Sequence, residues 1–278
     1  LRVEPGEAVA AALRGRPAVL RHHDLPWHRP QLAHLPPPPD DAVWLHVCTS
    51  DHSRLELAAR GIGARTLRNR FETAPAPGDR ARMRRALGVA AEERLILQPT
   101  RAIARKNVRA GIDLAAATGS VYWLLGRAED GYETELDELF SRARRSGVPL
   151  RHRWPPTAEA DADPPLSMAD AYAGCDVVAL PSTWEGFGNP ALESATHGRP
   201  LVIGDYPASR ELRAFGFHWF GPEDHRLVAD FLAQPDDRLL AANAAVARRH
   251  FDLAALPGEL EALLSDLRQP LRGVSGNP

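Results

Sequence analysis

From Asp79 onward, short apolar runs and longer helical stretches take turns along the chain, and that alternation leaves few folds open. Residues 94–98, 121–125, 148–152, 176–180 and 200–203 are each too short for a stable helix, and most of them place apolar residues side by side. A strand buried on both faces reads that way, whereas a half-wetted strand alternates. Between and around these runs, 79–88, 106–117, 131–145, 167–174, 190–197 and 208–214 carry helical patterns, and 222–233, 236–249 and 257–268 form a helical tail. Strand and helix in strict turn imply right-handed βαβ crossovers, hence an α/β domain with a parallel sheet covered on both faces. In such a sheet ligands bind beyond the carboxyl ends of the strands.

The fourth of these strand ends carries the densest chemistry. Residues 176–200 read DVVALPSTWEGFGNPALESATHGRP: an apolar run, a Pro181-Ser182-Thr183 break, Glu185-Gly186-Phe187-Gly188, then a helix that holds Glu193 near its first turn. Gly186 and Gly188 let backbone approach a ligand closely. The helix opening at Asn189-Pro190 turns its N–H groups and positive dipole end toward the same loop, which suits an anion. Two acids bracket that anion site, placed to accept hydrogen bonds from the hydroxyls of a polyol.

The spacing Pro181-Ser182-x-x-Glu185-Gly186-Phe187-Gly188-x4-Glu193 resembles the signature of the retaining glycosyltransferases of family four. Their fold is GT-B, two facing Rossmann-like domains with parallel sheets. The resemblance implies transfer of a hexosyl group from a nucleoside diphosphate sugar to an acceptor hydroxyl, with no obligatory cofactor or metal. It implies that Glu185 holds hydroxyls of the transferred sugar and Glu193 the ribose, while backbone around Gly186, Phe187, Gly188 and Asn189 cradles the phosphates. In the loop 99–107, Arg101 and Lys106 take the places of the two cations that grip the donor diphosphate. A guanidinium fork and an ammonium point charge together neutralise a pyrophosphate leaving group as its charge develops. Gly126, at the next strand end, falls where the nucleotide cleft is lined, and Trp154, at the one after, either stacks on the base or serves core or lid packing. Arg105 is expected at the surface, Tyr172 in plain packing, and His197 as a cation at a helix C-terminus.

Composition supports Lys106 as a special position. Of 34 Lys plus Arg residues it is the one lysine, in a chain that otherwise uses arginine for its cations. The formal net charge is −2, which provides no broad basic field for nucleic acid. No apolar run approaches a membrane span, so a cytoplasmic protein is expected, with peripheral membrane contact left open. Cys48 and Cys175 are too few for a disulfide framework.

The N-terminal part is short. A helix over 6–15, strands at 17–20, 43–47 and 64–67, and a helix capped by Thr49 or Ser50 make up about 70 residues. The family has well over twice as many there, and the chain begins with Leu1 in mid-pattern, so this domain is expected to be truncated. The expected division is 1–75 for the remaining acceptor-side domain, 76–250 for the donor domain, and 251–278 for a helix crossing back, with a tail. The first strand end carries Arg21-His22-His23-Asp24. A metal site is one reading, but adjacent histidines on an extended segment point to opposite sides, and no further ligand at suitable spacing completes a set. No metal site is therefore expected, and the resemblance places His23 toward the donor sugar. Asp161-Ala162-Asp163 has the spacing of a metal-dependent donor motif but lies in a Pro- and Ala-rich loop with no adjoining strand. Two alternatives remain: a non-catalytic sugar-nucleotide-binding or scaffold protein, and another GT-B activity such as an epimerase or phosphorylase.

Overall fold

The computed structural model describes residues 9–29, 32–154 and 165–268. Two compact units result, Leu1–Arg70 with Leu253–Pro278, and Phe71–Asp252.

The second unit holds a five-stranded parallel sheet. Its strands are β4 (Leu95–Gln98), β5 (Val121–Leu124), β6 (Leu150–His152), β7 (Val177–Leu180) and β8 (Leu201–Ile203), in the order β6-β5-β4-β7-β8. The order reverses direction between β4 and β7, so the crevice of this doubly wound sheet opens where those two strands end. Period-2 geometry divides the apolar runs between two cores. Leu95, Leu97, Val121, Trp123, Val178, Leu180, Leu201 and Ile203 face one. Ile96, Tyr122, Leu124, Val177, Ala179 and Val202 face the other. Both sides of β4, β5, β7 and β8 are therefore covered, which is why their sequences lack polar alternation.

Helices α3 (Arg80–Leu87), α4 (Val108–Thr118), α5 (Glu133–Arg145), α6 (Met168–Gly174), α7 (Asn189–Thr196), α8 (Pro207–Arg213), α9 (His225–Ala233) and α10 (Asp237–Phe251) complete this unit. Local chemistry sets their ends. Asp79 caps α3 by accepting from the Arg82 N–H at 2.8 Å, and Gly88 closes it in the left-handed conformation that glycine adopts without strain. Glu193 sits on the second turn of α7 rather than the first, because the helix already begins at Asn189.

The first unit carries a parallel sheet in the order β1-β2-β3, made of β1 (Ala18–His22), β2 (Trp44–Cys48) and β3 (Ala64–Thr66). β1 continues through His22, beyond the expected end at Leu20, because each of its five residues finds a partner on β2. Helical residues at 9–13 form α1, tied down by the Trp44 indole, which donates to the carbonyls of Leu13 and Arg16 at 3.3 and 3.1 Å. Helix α2 (Asp51–Ala58) is capped by Ser50, whose hydroxyl accepts from the Ser53 N–H at 3.3 Å, and α11 (Leu256–Arg268) pairs Glu259 with Arg70. Among the described residues no helix is long and apolar enough to cross a membrane.

Candidate functional site

The crevice between β4 and β7 is built by the two loops that leave those strands. Gln98, fully buried at the end of β4, receives a hydrogen bond from the Tyr122 hydroxyl at 2.7 Å. Its amide donates to the Lys106 carbonyl at 2.9 Å and the Thr100 hydroxyl at 3.2 Å. One amide thus holds both ends of the loop 99–107. The loop closes in a 3-10 turn, Ala104–Lys106, and Asn107 at φ 50 then caps α4. Asparagine tolerates that left-handed backbone better than most residues. Lys106 therefore ends the turn before the helix instead of lying inside the helix.

The β7 loop folds back over it. Thr183 N–H donates to the Arg105 carbonyl at 2.8 Å, and the Arg105 guanidinium donates to the Trp184 carbonyl at 2.8 Å. Both loops converge on one carboxylate. Glu185, 6% exposed, accepts from Lys106, from Arg105 at 3.0 Å and from the Ser182 hydroxyl at 2.6 Å. Lys106 is 9% exposed. Burial lowers its pKa and Glu185 pulls the other way, so the carboxylate helps keep a buried ammonium charged. Two cations against one anion leave the cluster a net positive charge.

The Glu185-Gly186-Phe187-Gly188 turn is anchored from behind. The Phe187 ring is buried in the core, 6.3 Å from Phe71 and 6.2 Å from Phe251, so only its backbone is left for the crevice. Gly188 lies at φ 95, and a Cβ there would stand 2.8 Å from the Tyr206 hydroxyl. Glycine is required on both counts. Gly188 brings no side chain to cap α7, and Pro190 stands in its first turn, where its fixed φ suits a helix start.

Glu193 stands apart from the Lys106 cluster. Its partner is the Tyr172 hydroxyl, and the Tyr172 ring stacks on His197 with centroids 4.8 Å apart and planes 8° from parallel. Burial raises the Glu193 pKa, and the tyrosine hydrogen bond opposes that. Tyr172 is thus a polar support and not simple packing. His197 does not serve as the expected helix-end cation, since burial followed by the Arg199 charge lowers its pKa.

The other residues singled out in the sequence lie as follows. Arg101 forms an exposed ion pair with Glu129 at 2.6 Å, and the second cation on Glu185 is Arg105, which the sequence reading left at the surface. Gly126 packs against backbone: a Cβ would meet the Thr100 oxygen at 2.4 Å and the Arg101 Cα at 2.5 Å, so this glycine lets the loops after β4 and β5 touch. Trp154 is half-buried, 6.2 Å from Trp123 and packed against the core. Gly186 is partly exposed and Asn189 exposed at the start of α7. In the first unit His23 is exposed just past β1, while His22 bonds to His46 at 2.8 Å and His46 to Asp40 at 3.1 Å. Asp161 and Asp163 lie outside the described residues. Arg105 and Tyr172 were not legible as site residues, because their partners Glu185 and Glu193 lie on other elements, 80 and 21 positions away.

Residues 122–247 match the family model of glycosyl transferases group 1. The D-inositol 3-phosphate glycosyltransferase of Segniliparus rotundus is 27% identical over 208 residues, covering 71% of this chain and 44% of the relative. That of Mycobacterium tuberculosis is 26% identical over 242 residues, covering 80% and 45%. The chain thus spans under half the length of these curated relatives. Among solved structures, Anabaena HepE in complex with UDP and glucose superposes with a TM-score of 0.71 at 25% identity, covering 93% of this chain and 74% of that one. The sucrose-phosphate synthase of Thermosynechococcus elongatus superposes with a TM-score of 0.69 at 16% identity, covering 96% and 77%, a likeness of fold. The α/β fold with parallel sheets matches GT-B glycosyltransferases.

Proposed function

We propose that this chain belongs to a retaining, family-four glycosyltransferase and carries its donor-binding domain. In this reading it moves a hexosyl group from a nucleoside diphosphate sugar to an acceptor hydroxyl. The observation that carries the reading is the convergence of Lys106 and Arg105 on Glu185 at the switch point of the sheet, beside the start of α7. A net-positive pair of loops facing a helix N-terminus is suited to a diphosphate, and a carboxylate among them accepts hydrogen bonds from sugar hydroxyls. The domains are read as 1–75 for the acceptor side, 76–250 for the donor side and 251–278 for the returning helix and tail.

The roles follow from that chemistry. Lys106 and Arg101 neutralise the diphosphate as it leaves, with Arg105 holding the Glu185 carboxylate in place. Glu185 orients the transferred sugar, Glu193 takes the ribose hydroxyls, and His23 faces the donor sugar. Gly126 and Trp154 line the nucleotide side, and the backbone from Gly186 to Asn189 receives the phosphates. Retention is assigned to front-face attack, in which the departing phosphate oxygen accepts the proton of the incoming hydroxyl. The protein then contributes positioning and charge stabilisation, and no cofactor or metal enters the step. Uracil is the proposed base, because HepE was solved with UDP and with UDP-glucose. The proposal places the protein in the cytoplasm, with peripheral membrane contact left to the acceptor.

The test is calorimetric titration with UDP, GDP, ADP and TDP. Saturable binding of UDP in preference to the other three is expected. Absence of binding for all four at millimolar concentration refutes the donor-domain assignment.

A further inference from the structure

Four side chains with ligand chemistry meet in the first unit, on elements distant in sequence. His28 ends a 3-10 turn, Pro26–His28, that follows β1. His52 and Glu56 lie one turn apart on α2, so they share a face. His28 Nε2 contacts Glu56 Oε2, and His52 Nε2 lies 3.6 Å from the same oxygen. One ligand atom from each of the three falls within 4.8 Å of the others. Around a tetrahedral zinc-class ion with bonds near 2 Å, ligand atoms stand about 3.3 Å apart, so small side-chain adjustments close the set.

The surroundings fit a metal better than a bare hydrogen-bonded trio. Behind His28, Asp24 Oδ1 lies 3.0 Å from Nδ1, and the other Asp24 oxygen accepts from Arg29 Nε at 3.0 Å. The Leu25 N–H also reaches Nδ1, at 3.2 Å, and the two contacts hold the ring with Nε2 toward Glu56. Carboxylate behind histidine is the arrangement that orients and strengthens a metal-bound imidazole. Exposure is graded in the same sense: the His28 side chain is 3% exposed, Glu56 27% and His52 36%. The cluster is walled at the back and open at the front.

We propose that His28, His52 and Glu56, oriented by Asp24, form a binding site for a divalent transition metal of the zinc class that fastens the segment after β1 to α2. Two imidazoles and one carboxylate select against calcium and magnesium, which take oxygen ligands. Binding exchanges the His28–Glu56 hydrogen bond for two metal–ligand bonds and releases the proton they share. No oxidation or reduction is involved, and no step of glycosyl transfer runs through the ion. The site does not rest on the donor-domain reading, because its test involves no nucleotide.

The test uses the full chain, freed of any affinity tag and of metal, titrated with Zn²⁺ by calorimetry and with Co²⁺ by visible absorption. One ion per chain, a tetrahedral Co²⁺ ligand-field spectrum and a rise in Tm with Zn²⁺ are expected. His52→Ala and Glu56→Gln, both on the open side, should keep their helical circular dichroism and each weaken binding at least about tenfold. Asp24→Asn should keep the stoichiometry and weaken affinity about 10–100-fold. His34→Ala, an exposed histidine elsewhere, should change nothing. Failure of the wild-type chain to bind either ion overturns the proposal, as does full binding by the His52→Ala, Glu56→Gln double variant.

Discussion

Substituting Gly188 by alanine probes the turn that joins the two sides of the candidate site. Two costs arise separately. At φ 95 an alanine is held in backbone that residues with a Cβ avoid, worth about 1–3 kcal/mol. The new methyl also stands 2.8 Å from the Tyr206 hydroxyl, and relieving an overpacked contact costs about 1–3 kcal/mol. Gly188→Ala should therefore destabilise the protein by about 2–6 kcal/mol in urea unfolding. Tyr206 separates the two terms. Its hydroxyl is buried with no hydrogen-bond partner among the described residues, so Tyr206→Phe alone should be neutral or stabilising by up to about 1 kcal/mol. In the Gly188→Ala background the same change removes the atom struck and should recover at least about 1 kcal/mol. The coupling between the two substitutions is the measured quantity. Zero coupling refutes the steric half of the argument, and an undisturbed Gly188→Ala protein refutes both halves. A Cβ on Gly188 also lies 3.9 Å from the Glu185 Cβ, so nucleotide affinity should fall with stability.

Other expectations follow from the same geometry. Glu193→Ala should weaken nucleoside and nucleoside diphosphate binding by the same factor in calorimetry, because the role assigned to Glu193 is to the ribose. His22 has a pKa lowered to about 4, through burial first and the His46 and His23 charges second. Its neutral form is thus favoured in the fold, and the stability it brings is present above pH 6.5 and lost as pH falls toward 4. The full shift corresponds to about 3 kcal/mol, less after discounting the ring's partial exposure to solvent. His22→Asn should flatten Tm against pH in that window. Arg84, buried, donates to the carbonyls of Gly174 at 2.9 Å and Ala90 at 2.6 Å and pairs with Asp176 at 3.3 Å. Arg84→Met should cost about 3–5 kcal/mol in thermal or urea unfolding by orphaning those acceptors.

The parallel sheet of the second unit was readable because β4, β5, β7 and β8 are covered on both faces, and their continuous apolar runs report that directly. The turn after β7 was readable for a related reason: Gly186, Gly188 and Pro190 mark backbone constraints that any neighbour must respect. Side-chain partnerships were less visible. Arg105 reads as a solvated cation because nothing local distinguishes it, yet Glu185, 80 positions away, draws it in. Tyr172 reads as packing until Glu193 appears opposite its hydroxyl. The end of β1 was misplaced by two residues, since pairing with β2 decides where the strand stops and Arg21-His22 carries no apolar signal. His28, His52 and Glu56 escaped notice because only the fold brings a turn after β1 against α2.

The central claim is that Lys106 and its loop receive a diphosphate. The most direct measurement compares UDP with uridine, by calorimetry, on the wild-type chain and on Lys106→Ala. A charge-assisted contact to phosphate is worth about 1.5–3 kcal/mol, or about 10–150-fold in affinity. The account predicts a loss of that size for UDP and a change within about twofold for uridine. Equal losses for the two ligands, or no loss for UDP, contradict it.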